Sequence, residues 1–367
     1  MLLTRRHPAT SLLFLGELNL SLFTFPKIDF LFIDCRTVLQ LSNHFFVSGG
    51  FMNMNNKLNT VEKTLPQSSN YTLKQLIKEY ILILRPQQWI KNVLVFAGLI
   101  FSFHFVYLSS VFYSLLAFIT FCLLSGAVYI INDIVDVQED RKHPQKKYRP
   151  LAAERIKMHH ACIFFAVLLS ISFYLAWIVN IYFLATAALY LALTIGYSLY
   201  FKNLVILDVL IIALGFLLRA VAGAIAINVY ISPWFLFCTL LLSLFLALTK
   251  RRQESINLSS SSTEHRKVLE HYSISYLDNL ISIVTASTII GYSLYTFTEG
   301  TSRLFMLTIP FVIYGIFRYL YLVHEKKLGE YAEEIILKDK PIIINVLLWL
   351  VLSVIILYIE LQTGGIN

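Results

Sequence analysis

Long apolar runs separated by short polar breaks dominate this chain. Nine of them approach the length of a bilayer crossing: Asn92–Leu108, Val111–Ile131, Met158–Val179, Ile181–Phe201, Leu204–Ile227, Pro233–Thr249, Leu277–Thr298, Leu304–Val323 and Ile342–Ile359. A hydrocarbon core of about 30 Å takes about 20 helical residues. The pattern therefore predicts an all-α integral membrane protein, a bundle of nine transmembrane helices. Ahead of the first run, Leu73 to Leu84 has the amphipathic pattern of a helix lying along the membrane surface. Residues 1–70 are different. Their apolar patch Ser11–Leu15 is followed by Glu17 and Asn19, and Asn53, Asn55, Asn56 and Lys57 make the later part polar. No unbroken apolar region with a small-residue cleavage site stands out. The expectation is an N-terminal extension (1–70), disordered or an artefact of start-site choice, with Met52 or Met54 as the alternative start. One transmembrane domain (71–367) follows.

Composition agrees with the pattern: 57% of residues are hydrophobic, 14% are charged, and mean hydropathy is +0.68. A soluble chain carries roughly a quarter charged residues. In this setting the net charge of +8 reports cytoplasmic loops and anionic lipid, not nucleic acid. The bases cluster on alternate loops. Arg141, Lys142, Lys146, Lys147, Arg149, Arg155 and Lys157 follow the second run, Lys250, Arg251, Arg252, Arg266 and Lys267 the sixth, and Lys326, Lys327, Lys338 and Lys340 the eighth. The positive-inside rule then places the N-terminus and the long loops in the cytoplasm, and nine crossings place the C-terminus outside. Trp89, Trp177 and Trp234 fall at run ends, as interfacial anchors do; Trp349 falls mid-run and is expected to pack inside the bundle. Cys35, Cys122, Cys162 and Cys238 form no CxxC pair, which argues against a disulfide framework or a zinc site.

The sharpest chemical signal is Asn132-Asp133-Ile134-Val135-Asp136-Val137-Gln138-Glu139-Asp140, where the second run meets the basic loop. On a helix Asn132, Asp136 and Asp140 stack at four-residue steps, with Asp133 beside them. Such a face repels itself unless a cation occupies it. Hard oxygen donors at this boundary suit Mg²⁺, which binds through a few carboxylates plus substrate phosphates. A plain solvated acidic helix end fits less well. Acids at a helix C-terminus oppose its dipole, and carboxylates next to hydrocarbon are costly without partners. Lys146, Lys147 and Arg149 follow within one loop, and metal with Lys/Arg together stabilises a departing diphosphate. For any single lysine, a purely topological role is an equal alternative.

The motif NDxxDxxxD of Asn132 to Asp140, followed by Lys147-Tyr148-Arg149-Pro150-Leu151, resembles the UbiA superfamily of intramembrane prenyltransferases. The likeness extends from about Leu84 to Leu357 and implies a catalytic domain with its cavity facing the cytoplasm, in a bacterial plasma membrane. Within the superfamily, the stretches Leu84 to Asn92, Tyr197 to Asp208, Gly215 to Ala226, Ala247 to Glu254 and Phe317 to His324 resemble the branch that acts on phosphoribosyl diphosphate and a polyprenyl phosphate. That branch moves 5-phosphoribose to the lipid phosphate and releases diphosphate. The resemblance implies Mg²⁺ on Asp133, Asp136 and Asp140, with Asn132 beside them, and Lys91, Lys147 and Arg149 neutralising the remaining charge. Where aromatic prenyltransferases carry a second aspartate-rich motif, this chain has Lys250-Arg251-Arg252-Gln253-Glu254. Bases there suit an extra phosphate, since Arg and Lys bind phosphates directly.

Ionisable residues within the runs complete the candidates. Asp208 and Arg219 lie about three whole turns apart and so share a helix face, with Tyr197 and Lys202 just before them. Such groups usually face the bundle interior or a wet cavity. Tyr197, Lys202, Asp208 and Arg219 are expected to line one cavity, with a purely structural polar network as the alternative. His104 reads as hydrogen-bonded core, and Arg318 as a snorkelling base. Two other functions compete. An aromatic prenyltransferase using a prenyl diphosphate is disfavoured by the missing second acidic motif. A transporter is disfavoured by the lack of a clear internal repeat.

Overall fold

The computed structural model describes residues 72–143, 145–260, 267–298, 303–326, 335 and 338–363. The proposed extension and its alternative starts lie outside them. The described residues contain helices and no strand. The first helix, α1 (Leu73–Ile83), begins at Thr72, whose backbone N–H donates to Gln75 Oε1 at 2.9 Å. It matches the amphipathic segment read from the sequence. Leu73 and Ile77 are exposed, Ile83 is buried, and the buried Glu79 accepts from Arg155 at 3.0 Å.

Eight described helical segments are long and apolar enough to cross a membrane. They are α3 (Leu108–Val135), α5 (Met158–Val179), α6 (Ile181–Leu199), α7 (Leu207–Ala226), α8 (Pro233–Ser260), α9 (Ile274–Thr298), α10 (Ile309–His324, extended N-terminally by a 3-10 turn from Arg303) and α11 (Lys340–Thr363). The first expected crossing, Asn92–Leu108, is not a long α-helix. The chain winds as a 3-10 rod over Pro86–Phe96, passes into the five-residue α2 (Ala97–Phe101), and breaks at Phe103, whose φ is 61°. Hydropathy does not distinguish these windings. A 3-10 helix rises about 2.0 Å per residue against 1.5 Å for an α-helix, so rod and α2 together extend about 30 Å.

Three packed clusters hold the bundle together. One joins α8, α9 and α10 through Phe245, Leu277, Ile281, Tyr319 and Val323. Another gathers Val95 of the rod with Phe121, Phe183, Tyr190 and Ala222. The third, around Ile83, Ala127, Ile130 and Leu151, seats α1 and the basic loop beside α3. The rod approaches α7 so closely that a Cβ on Gly223 would lie 1.9 Å from the Val95 carbonyl oxygen. Trp349 does turn inward, its indole N–H donating to Tyr292 at 2.9 Å. Arg318 does not snorkel freely; it donates to Asp339 at 2.9 Å and ties α10 to the start of α11.

Candidate active site

The carboxylate motif sits where α3 gives way to the short α4 (Val137–Lys142). Asp136 is the joint, yet its N–H still reaches the Asn132 carbonyl at 2.9 Å and its own carbonyl receives the Asp140 N–H at 2.8 Å. Helical register therefore survives the joint, and the four-residue stacking expected from the sequence persists. Asp133 and Asp140 are each 2% exposed. One guanidinium spans them: Arg149 Nη1 lies 2.5 Å from Asp140 and 3.2 Å from Asp133. Arg85 donates to the same Asp133 oxygen and lies over the Tyr129 ring, 4.9 Å from its centroid. Lys202 approaches Asp136 at 3.6 Å, the loosest of these pairs. Three acids thus meet three bases drawn from the chain before the rod, the loop after α4, and the turn after α6. Lys147 is exposed and stacks on Tyr148, and Asn132 is half-buried on the same helix as the acids.

Arg85 is the partner that sequence reading missed as a site residue. Its backbone has φ 50°, uncommon for a residue with a Cβ, and Pro86 fixes the start of the rod immediately after it. An arginine directly before a proline at the head of an apolar run was the available signal.

A second cluster lies at the foot of α7. Asp208, fully buried, accepts from Arg251 Nε at 2.6 Å and from the Tyr272 hydroxyl at 2.7 Å. Arg251 also donates to Tyr197 at 2.8 Å and to Glu254 at 2.5 Å. The Tyr272 oxygen in turn accepts the Ile206 N–H at 2.6 Å. Ile206 has φ 70°, an outlier for a β-branched residue. Burial pushes the Tyr272 phenol above its ordinary value, so it stays a protonated donor to Asp208.

The four residues expected together fall into separate contact groups. Lys202 joins the carboxylates of α3; Tyr197 and Asp208 meet through Arg251. Arg219 stands apart, donating to Asn92 at 2.7 Å, to Tyr190 at 2.7 Å and to the Gly215 carbonyl at 2.8 Å. The basic patch is also internally engaged. Arg251 is 1% exposed, and Arg252 donates to Asp278 at 2.5 Å. A buried guanidinium seeks the nearest carboxylate, because an uncompensated charge costs several kcal/mol. Lys250 is half-buried beside them.

Among the described residues, no three His, Cys, Asp or Glu side chains form a ready metal cage. Mg²⁺ does not need one, since one or two carboxylates suffice when substrate phosphates and water complete the shell. The hard-oxygen set of Asp133, Asp136 and Asp140 is chemically suited to it.

The helical bundle and its carboxylate–arginine cluster at a helix end define an integral membrane protein with a charged site, and the comparisons make it a transferase. The UbiA prenyltransferase family matches residues 93–334, and the chain belongs to that family. Its relatives include the decaprenyl-phosphate phosphoribosyltransferase of Mycolicibacterium smegmatis, 32% identical over 293 residues, covering 76% of this chain and 92% of the relative. The Corynebacterium glutamicum protein of the same name is 31% identical, covering 78% of this chain and 89% of the relative. Among solved structures, a UbiA homolog from Archaeoglobus fulgidus bound to GPP and Mg²⁺ superposes with a TM-score of 0.61 at 19% identity. It covers 76% of this chain and 99% of that one, and supports the shared fold.

Proposed function

We propose that this protein transfers 5-phosphoribose from phosphoribosyl diphosphate to a polyprenyl phosphate of the decaprenyl type, releasing diphosphate. The observation that carries the reading is the similarity to decaprenyl-phosphate phosphoribosyltransferases over 76% and 78% of this chain. Asp133, Asp136 and Asp140 would hold Mg²⁺, which supplies charge neutralisation for a leaving diphosphate. Arg149 and Arg85 hold Asp133 in place, and Lys202 is near enough to Asp136 to trade that contact for a substrate phosphate. The bond between the ribose anomeric carbon and the diphosphate oxygen breaks, and a bond to an oxygen of the acceptor phosphate forms from the opposite face, inverting that carbon. The acceptor phosphate is already ionised near neutral pH, so orientation and charge carry most of the rate. Arg251, on α8, keeps the ends of α6 and α7 registered through Tyr197 and Asp208, a positioning role in place of direct phosphate contact. The domain that performs this is the chain from residue 71 onward, in a bacterial plasma membrane with its site on the cytoplasmic side.

The test is purified protein in lipid with Mg²⁺, offered two pairs separately: phosphoribosyl diphosphate with decaprenyl phosphate, and geranyl diphosphate with 4-hydroxybenzoate. Turnover of the first pair alone is expected. Turnover of the second alone would make the protein an aromatic prenyltransferase.

A further inference from the structure

The 3-10 rod of Pro86–Phe96 runs for 11 residues, whereas such helices rarely exceed three or four. Most of its side chains sort by threes, the exposed Pro86 and the half-buried Trp89 and Phe96 at or near its ends falling outside the pattern. Gln87, Ile90 and Val93 are exposed; Asn92 and Val95 are buried; Arg85, Gln88, Lys91 and Leu94 are all half-buried. A 3-10 helix repeats every three residues, so each set forms a straight row. In an α-helix each three-residue step would swing the row by about 60°, and Leu94 would face away from Arg85.

Each row has its own surroundings. Ile90 and Val93 are apolar and outward-facing, at 39% and 45% exposure. Asn92 and Val95 are pinned, by Arg219 at 2.7 Å and by the close approach of Gly223. The half-buried row starts at the carboxylate cluster, where Arg85 is bonded to Asp133. The Gln88 N–H donates to the Arg85 carbonyl at 2.8 Å, so Arg85 belongs to the same ladder. Lys91 Nζ then donates to Gln88 Oε1 at 2.6 Å, and the row ends on Leu94. From Arg85 to Leu94 it covers about 18 Å at the 3-10 rise. Along that length two bases and the amide between them, Arg85, Gln88 and Lys91, give way to the apolar Leu94.

The geometry points to this row as the rail for the lipid acceptor, an isoprenoid monophosphate. Gln88 and Lys91 hold its phosphate next to the aspartates that would hold the donor, and Leu94 begins the track of its chain. The assignment rests on the proposed function for the acceptor's identity. A soluble sugar diphosphate has no use for a row that turns apolar with depth; an amphiphile does. Lys91 is thereby moved from the donor diphosphate, where the sequence resemblance put it, to the acceptor. The 3-10 winding is the device that keeps head and tail contacts in one line.

Two measurements test this. In Lys91→Gln and Gln88→Leu, with both substrates varied independently, KM for decaprenyl phosphate should rise about tenfold, the worth of one charge-assisted phosphate contact. KM for phosphoribosyl diphosphate should stay unchanged. A rise confined to the donor's KM, or no change in either, overturns the assignment; a merely structural role would lower thermal stability and leave the acceptor's KM in place. Second, a benzophenone side chain placed at Leu94 should photo-crosslink to radiolabelled decaprenyl phosphate, competed by unlabelled lipid, while the same group at Val93 should not. Equal labelling at both positions contradicts the row. If no phosphoribosyl transfer occurs with any variant or with the unaltered protein, the functional reading falls, and the contrast between positions 94 and 93 still decides whether the row holds an isoprenoid phosphate.

Discussion

Asp133 receives two arginines, and Arg149 touches two aspartates. A planar guanidinium can span both carboxylates; a lysine ammonium is a point charge on a flexible stem. Arg149→Lys is therefore expected to lower kcat by about tenfold or more, a loss of at least ~1.4 kcal/mol of transition-state stabilisation. Steady-state assay with fully inserted protein checks it, and near-normal turnover would remove the bridge from the account. Asp133→Ala takes the carboxylate from Arg85 and one of the two that Arg149 touches. We expect about 10²–10³-fold loss, the range for removing one preorganised charge-stabilising group. Normal turnover at ordinary Mg²⁺ would show that the stacked acids are not the donor site. Tyr272 makes a pH prediction. Its phenol is raised above the ordinary value of about 10, chiefly by burial. A raised value means that the contribution of the protonated Tyr272–Asp208 bond is complete below the unfolded value. It is lost as pH rises through the folded one. Thermal stability in lipid should therefore fall above about pH 10, and Tyr272→Phe should flatten that part of the profile. An identical alkaline fall in the variant would assign it to another group.

At the scale of elements, the rod and α7 meet where side chains leave no room. Gly223→Ala would place a methyl 1.9 Å from the Val95 carbonyl oxygen, and backbone cannot yield as a side-chain tip can. Overpacking of this kind costs roughly 1–3 kcal/mol or more, so the variant should melt lower and lose activity as the rod shifts. Gly215→Ala is the control, since its added methyl would sit 3.5 Å from Arg219, an ordinary contact. Equal melting of the two variants would count against the tight rod–α7 seam. This seam was beyond the reach of the sequence. Eight crossings were readable because apolar length alone decides them. The winding of residues 86–96 was not, since hydropathy is blind to the difference between 3.0 and 3.6 residues per turn. The carboxylate stack of Asp133, Asp136 and Asp140 was also legible, because three- and four-residue spacing survives any helical joint that keeps its hydrogen bonds. Their arginine partners were only half legible: Arg149 is near in sequence, while Arg85 reaches Asp133 across 48 positions. The division of Tyr197, Lys202 and Asp208 between two clusters was hidden for the same reason. Which base answers which acid is set by packing.

For the molecule as a whole, the orientation proposed in the membrane rests on its bases. Lys and Arg crowd the loop after α4 and the C-terminal end of α8, and by the positive-inside rule both are expected in the cytoplasm. A cysteine introduced at Gln145, in a background with the four native cysteines replaced, should react with an impermeant maleimide only in inside-out vesicles. Labelling of sealed, right-side-out cells would invert the topology and move the proposed site to the other face. The same side must supply a water-soluble phosphorylated sugar and receive diphosphate, while the acceptor arrives through the lipid. Mass spectrometry of the lipid product, with diphosphate counted in the same reaction, tests the whole account most directly. Given phosphoribosyl diphosphate, decaprenyl phosphate and Mg²⁺, the account predicts decaprenyl phosphate heavier by one phosphoribosyl group and an equal number of diphosphates released. Diphosphate release without a heavier lipid, or lipid modified only when a prenyl diphosphate and an aromatic acid are supplied, would contradict it.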